Sequence, residues 1–591
     1  MNARTTPESS DLAAGFAAHV AGWAARRNAP AEAIAVLRQA AWRVSLATGR
    51  GNVCLPLAEL IEDFPEKSTA SLRDALLASR MVGAPDSQEA LPLVLDPANR
   101  LYLRRYFDYE TRLAASLARR AISVKQEPVQ LSLDDQPDSQ GAAVDSAIRR
   151  RLSIVSGGPG AGKTTIVARL LARILEENPE ARIALAAPTG KAAARLLDTL
   201  RERAAQLPQK VRARLPNEAH TIHRLLGVTG AEGRFRHRAA NPLAVDALIV
   251  DEASMLDLSL AVHLAEAVPE NARLVLLGDK DQLAAVEVGS VFSELAAREG
   301  SRLAHCVVWL TGSYRFPAGS GIGRLAADIN AGEPDRALDW IARGAAESVR
   351  WIDDPGADPG AAALDCIFGG YAPYLEKVRA YRNDTAEVFR ALDGFRVLCA
   401  VRESARGVRA LNALLSRRVR AALDHPLDPG PRSQWYPGRP VMVLRNDHVL
   451  RVFNGDTGVC LPGADGSLAV WFADRDGAFR AIAPSRLPEH EDAFAITVHK
   501  AQGSEFDTLL FVLPAKESPV MVRELLYTAV TRARTHVTLA GSAEAFRAAC
   551  LRRTERHTGL LEKINEAAAG QGAGVLRRTT YKTSEASPEN L

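Results

Sequence analysis

The residues best suited to chemistry lie in Gly157-Gly-Pro-Gly-Ala-Gly-Lys-Thr164, which fits G-x-x-x-x-G-K-[ST]. A loop of this composition turns backbone N–H groups inward around phosphate oxygens. Its glycines let the chain take that path without a clashing Cβ. The expected cradle for ATP runs Gly157, Gly158, Pro159, Gly160, Ala161, Gly162, Lys163, Thr164 and Thr165. Lys163 is expected to reach the β- and γ-phosphates, and Thr164 to offer a hydroxyl to Mg²⁺. Asp251-Glu252 ends an apolar run, placing Asp251 as the second Mg²⁺ holder and Glu252 as the group that polarises the attacking water. Gln282, at the end of the next such run, is suited to sensing the γ-phosphate. Arg315 and Arg532 could neutralise charge that develops during phosphoryl transfer, and Gln140 could read the adenine ring.

These side chains need rigid elements to hold them. Apolar runs at 152–155, 183–187, 247–250, 274–277 and 307–310 are each followed by a Gly-, Asp- or Thr-bearing loop and a helical pattern. Short continuous runs of this kind predict a parallel sheet covered on both faces. The segment 164–176 has helical spacing, so its positive N-terminal end would face the phosphates. A second α/β set is predicted from runs at 396–400, 509–513 and 537–540, with helices over 403–423 and 523–532. Short strand-like runs separated by Gly, Asp and Pro interrupt it at 435–488 and predict a small inserted β-barrel. Residues 1–125 read as a helical module for packing or docking, and 126–139, polar with two prolines, as a linker. The first ATPase domain is expected over 140–335 and the second over 336–434 and 489–560, with a disordered tail over 561–591.

Composition narrows the class. The chain has 591 residues, 47% apolar and 24% charged, which calls for several domains and an ordinary globular core. A net charge of +4 advertises no general affinity for nucleic acid. Basic clusters at 149–151, 234–238, 417–420 and 552–553 read, taken singly, as solvated faces. The six cysteines show no C-x-x-C spacing, which argues against zinc and disulfides and fits a reducing compartment. With no secretory signal and no long apolar run, the expectation is a cytoplasmic protein with no membrane partner.

Taken in order, the motifs above, with Ala187-Pro-Thr-Gly-Lys-Ala-Ala-Ala-Arg195, Tyr314-Arg315, Thr497-Val-His-Lys-Ala-Gln-Gly-Ser-Glu-Phe506 and Tyr527-Thr-Ala-Val-Thr-Arg-Ala-Arg534, resemble those of superfamily 1 helicases. They are most similar to the RecD family, the alpha subunits of exodeoxyribonuclease V. Thr221-Ile-His-Arg-Leu-Leu-Gly227, Trp435-Tyr-Pro-Gly-Arg-Pro-Val441 and Ser485-Arg-Leu-Pro-Glu-His490 add to the match, which covers about 135–560. The resemblance implies two RecA-like P-loop domains, a helical N-terminal domain and an SH3-like barrel inserted in the second RecA-like domain. It implies an ATP- and Mg²⁺-dependent 5'-to-3' motor on single-stranded DNA, acting at duplex ends in double-strand-break repair. RecB-like and RecC-like partners would complete a heterotrimer, with the nuclease centre in a partner. Pro188, Thr189, Gly190, Lys191, His223, Thr497 and His499 would line the DNA track, and Gly503 and Glu505 would join the nucleotide site. A stand-alone RecD-like helicase, or a regulatory subunit that uses ATP as a switch, stays open. The residues do not separate DNA from RNA.

Overall fold

The computed structural model describes residues 7–121, 139–229, 234–312, 315–316, 319–382, 384–423, 434–447, 449–463, 465–474 and 477–572. The expected linker lies, apart from Ser139, outside them, and Ser139 itself opens a helix, Ser139–Arg149.

The first α/β lobe is a six-stranded parallel sheet. Its strands run in the spatial order Val307–Leu310, Leu152–Gly157, Arg273–Gly278, Ala247–Val250, Ile183–Ala187 and His220–Thr221. The continuous apolar runs are explained by burial on both faces: Leu152, Ile154 and Val155 have no exposed surface, nor do Leu248, Ile249 and Val250. Helix Lys163–Glu177 buries Ile166, Val167, Leu170, Leu171 and Ile174 against one face. Each such side chain contributes about 1.5–3 kcal/mol of transfer free energy.

The second lobe is a five-stranded parallel sheet ordered Val349–Asp353, Ala533–Gly541, Phe506–Val512, Phe395–Cys399 and Ala495–Thr497. Helices Gly321–Ala331 and Pro334–Ala342 belong to it. Ile322, Leu325, Ile329 and Trp340 share a core with Leu509, Phe511 and Leu525. The expected boundary at 335 is therefore too late. The apolar face of these helices matches the second sheet, a fact that periodicity alone does not reveal. Between helix Val408–Ala422 and strand Ala495–Thr497 lies an antiparallel sheet. Its order is Phe479–Ile482, Leu468–Ala473, Thr457–Pro462, Arg439–Val443 and His490–Asp492, with the last strand beyond the expected end at 488.

The N-terminal region is not wholly helical. Helices Pro7–Arg26 and Ala31–Gly49 are followed by a four-stranded sheet of Cys54–Pro56, Arg100–Leu103, Leu93–Leu95 and Val82–Gly83. Strands of two to four residues are too short for alternation to show in the sequence. Helix Arg104–Ala121 then fastens this region to the first lobe. Arg112 pairs with Glu266 at 2.6 Å, and buried Arg120 donates to the carbonyls of Ala265 and Pro269 where helix Leu258–Ala267 ends. Cationic donors suit the unsatisfied carbonyls of a helix C-terminus.

The start of the expected tail is also ordered. Leu560–Gly572 is a helix whose Leu560 and Ile564, one turn apart, are buried, while Lys563 ion-pairs with Glu110 at 2.5 Å. Composition over the whole terminus masked that apolar stripe. Residues 573–591 lie outside the described residues.

Candidate active site at the cleft between the lobes

Parallel strands end on the same edge of a sheet, and ligands of open α/β sheets bind at that edge. The phosphate-type loop after Gly157, Pro188 after Ala187, Asp251 after Val250 and Asp279 after Gly278 all leave there. His223 follows the neighbouring strand His220–Thr221, whose Thr221 lies beside Ala187 in the sheet.

The loop itself is tightly built. Gly160 and Gly162 take positive φ, 76° and 84°, where an L side chain would be strained. A Cβ on Gly157 would come within 2.8 Å of Leu310, and one on Gly158 within 3.0 Å of the Tyr527 hydroxyl, which arrives from the second lobe. Lys163 Nζ donates to the carbonyls of Gly157 at 2.6 Å and Gly158 at 3.2 Å. Thr164 and Thr165 are half-buried in the first turn of the helix, and Pro159 edges a cleft of about 500 Å³ shared with Leu310, Arg324, Tyr527 and Thr531. Gln140 is buried and donates to the carbonyl of Ala161, so it braces the loop from behind.

Asp251 and Glu252 stand together at the strand end. Burial and then the Glu252 carboxylate push Asp251 up to about 6, while Lys163 opposes the rise. Glu252 takes φ 53°, a conformation that few non-glycine residues adopt and that is often found at functional sites. Gln282 is buried and donates to Asp279 at 3.1 Å.

From the second lobe, Tyr527 Oη donates to Asp279 at 2.9 Å, Thr528 Oγ1 accepts from the Leu283 amide, and Gln502 Nε2 donates to the Leu283 carbonyl. Glu505 gathers arginines from both lobes: Arg315 at 2.6 Å, Arg195, and Arg534 at 3.4 Å. Burial alone would raise the Glu505 carboxyl, but Arg195, Arg315 and Arg532 hold it at about 2. Arg532 is 2% exposed and directs one nitrogen to the Ser504 carbonyl at 3.4 Å. Arg315 Nη1 and Arg532 Nε are buried with no hydrogen-bond partner among the described residues.

The DNA-track candidates divide. Thr189 caps helix Gly190–Ala204, accepting from the Ala192 amide, and lies against Gly503: a Cβ there would be 3.7 Å from Thr189 Oγ1. Pro188 and Gly190 are half-buried beside it, Lys191 is exposed, and Thr497 is buried at the end of its strand with His499 half-buried just beyond. Burial and the charge of Arg556 lower the His499 imidazole. His223 is exposed and its ring lies 6.1 Å from that of Phe235, at the first lobe's outer strand. The sequence reading missed Arg195, Asp279, Tyr527 and Thr528 as members of the cleft. Each sits inside a motif already noted, and only the meeting of the lobes shows what it touches.

Among the described residues, no group of three or more His, Cys, Asp or Glu could hold a metal by itself, and no helix is long and apolar enough to cross a membrane.

Three family models match: an AAA domain over 140–288, a UvrD-like helicase C-terminal domain over 492–540, and the N-terminal domain of the RecBCD enzyme subunit RecD over 11–102. The RecBCD enzyme subunit RecD of Mycobacterium tuberculosis H37Rv is 39% identical over 536 residues, 88% of this chain and 90% of that protein. Its counterpart in Mycolicibacterium smegmatis is 38% identical over 91% of this chain and 93% of its own length. The ATP-dependent RecD2 DNA helicase of Deinococcus radiodurans is 33% identical over 72% of this chain, but only 52% of that protein is covered. Among solved structures, a Bacteroides Pif1 bound to single-stranded DNA aligns with 75% of this chain and 98% of its own at 17% identity and a TM-score of 0.40. With relatives this similar over nearly their whole length, the chain belongs to the family of RecD subunits of the RecBCD enzyme.

Proposed function

We propose that the chain is an ATP-dependent DNA helicase, the 5'-to-3' motor of a RecBCD-type helicase-nuclease that processes duplex ends in double-strand-break repair. Two RecA-like lobes close on ATP and pull a single strand along their tops. RecB-like and RecC-like subunits complete a cytoplasmic assembly, and a partner carries the nuclease centre. The SH3-like likeness of the inserted sheet belongs to the same reading, with that sheet guiding the strand.

One observation carries the proposal. Two arginines, Arg315 Nη1 and Arg532 Nε, bury unpaired donors in the cleft that also holds the glycine loop. Unpaired buried donors cost about 1–3 kcal/mol each, so such groups ask for an anionic partner, and nucleotide phosphates supply it. In this reading Lys163 exchanges its loop carbonyls for the β- and γ-phosphates. Gly503 and Glu505 border the nucleotide, Gln140 holds the loop beneath the base, and Gln282 reports the γ-phosphate through Asp279. Glu252 orients water. Thr164 and Asp251 would hold Mg²⁺, which uses few protein ligands when phosphates supply the rest and which neutralises charge on them when bound. Pro188, Thr189, Gly190, Lys191, His223, Thr497 and His499 contact the strand.

Coverage of 90% of RecD against 52% of RecD2 favours the subunit over a stand-alone motor. Lys163→Gln tests the proposal: DNA-stimulated ATP hydrolysis should fall by on the order of a hundredfold or more with the fold intact. Full retention of activity would end it.

A further inference from the structure

One oxygen of Glu505 is shared. Arg315 Nη2 lies 2.6 Å from Oε1, and Arg195 Nη2 ion-pairs with that same Oε1, while Arg534 approaches Oε2 at 3.4 Å. The Glu505 side chain is 8% exposed, so water does little to screen these charges. A carboxylate oxygen can accept two donors, but two guanidinium ions on it repel each other, and the grip on one weakens as the other tightens. Arg195 belongs to helix Gly190–Ala204, whose cap Thr189 and first residues Gly190 and Lys191 belong to the first-lobe side of the proposed DNA track. Arg195 therefore stands between the strand-facing end of that helix and the nucleotide cleft.

We propose that Arg195 is a positioning residue for ATP hydrolysis: it shares Glu505 Oε1 with Arg315, and strand binding that tightens the existing Arg195 pair on that oxygen loosens Arg315 and releases it toward the nucleotide phosphates. This rests on the reading of Arg315 as a phosphate ligand. Only the Nη2 contact has to be exchanged, because Arg315 Nη1 already lacks a partner among the described residues. DNA stimulation of hydrolysis would then be set by a competition between two arginines for one carboxylate.

The test is steady-state ATP hydrolysis by the full chain, with and without saturating oligothymidine, resolved into kcat and KM. Arg195→Ala leaves Arg315 more firmly held, so kcat with DNA should fall about tenfold while KM for ATP stays within about twofold. Arg195→Lys, which keeps the charge, should recover at least half of the stimulation. Glu505→Gln should raise the DNA-free rate several-fold, and in that background Arg195→Ala should have no further effect, because Arg195 acts through the carboxylate. Stimulation within twofold of wild type in Arg195→Ala overturns the inference. So does an Arg195→Ala loss that persists undiminished in the Glu505→Gln background, which would mark a purely structural role. Arg315→Ala separates the layers: if it abolishes hydrolysis while Arg195→Ala changes nothing, only this inference fails. If Arg315→Ala hydrolyses ATP normally, the reading of the cleft fails with it.

Discussion

Tyr527 reaches from the second lobe to Asp279 of the first, and deleting its hydroxyl isolates one bond across the cleft. The donor–acceptor distance is 2.9 Å, and Asp279 is 2% exposed. In Tyr527→Phe, Asp279 keeps Gln282 Nε2 and the Asp281 amide, both at 3.1 Å. A hydrogen bond to a charged group is worth about 1.5–3 kcal/mol net. Two donors remain on Asp279, so its carboxylate is not left bare. The lower end, about 1.5 kcal/mol, is the expected cost, which is about tenfold in the equilibrium for closing the lobes. Hydrolysis measured across ATP concentration at saturating DNA should show kcat/KM down about tenfold, mostly through KM. The melting temperature of the nucleotide-free chain should move by less than about 2 °C, because the bond ties one lobe to the other and holds neither lobe's own core together. An unchanged kcat/KM would remove Tyr527 from closure. A melting loss of several degrees would show the bond to be a fixed structural tie instead.

Burial and the Glu110 carboxylate push Glu294 up to about 8, so it folds uncharged at neutral pH. Its folded value lies above the unfolded carboxylate's, so its contribution to stability is complete below about 4.5 and is lost as pH rises toward 8. Glu294→Gln should therefore raise the melting temperature more at pH 8.5 than at pH 5, about equal gains at both counting against the assignment. Arg406 is fully buried and pairs with Asp354 at 3.0 Å while donating to the carbonyls of Leu513 and Ala540. Arg406→Ala strands that carboxylate and should cost about 3–5 kcal/mol in denaturant unfolding, whereas a loss below 1 kcal/mol would mean that water takes over the pair.

How much of this could be read from the residues follows from range. The glycine loop and the buried strands carry local signals. Four-residue runs such as Ala247–Val250 mark strand ends, so the sequence alone puts Asp251 at the edge of the sheet and Gln282 in the loop after the next strand. Cys54–Pro56 and Val82–Gly83 are too short to leave a pattern. The helix Leu560–Gly572 was hidden because its stripe is two residues wide, Leu560 and Ile564, beside a Gly- and Ser-rich end. In the sequence Arg195 is only the last residue of the Ala187-Pro-Thr-Gly-Lys-Ala-Ala-Ala-Arg195 motif. Its pairing with Glu505 forms across the cleft between motifs far apart in the chain, and one-dimensional periodicity carries no trace of such a contact.

If closing the cleft on ATP moves a DNA strand, the chain should displace one strand of a tailed duplex. Duplexes carrying only a 5' or only a 3' single-stranded tail are presented with ATP to the chain, alone and with co-purified partners, beside Lys163→Gln. Displacement is expected from the 5'-tailed duplex alone and should be abolished by Lys163→Gln. ATP hydrolysis at full rate with neither duplex opened would contradict it, leaving a nucleotide switch in place of a motor.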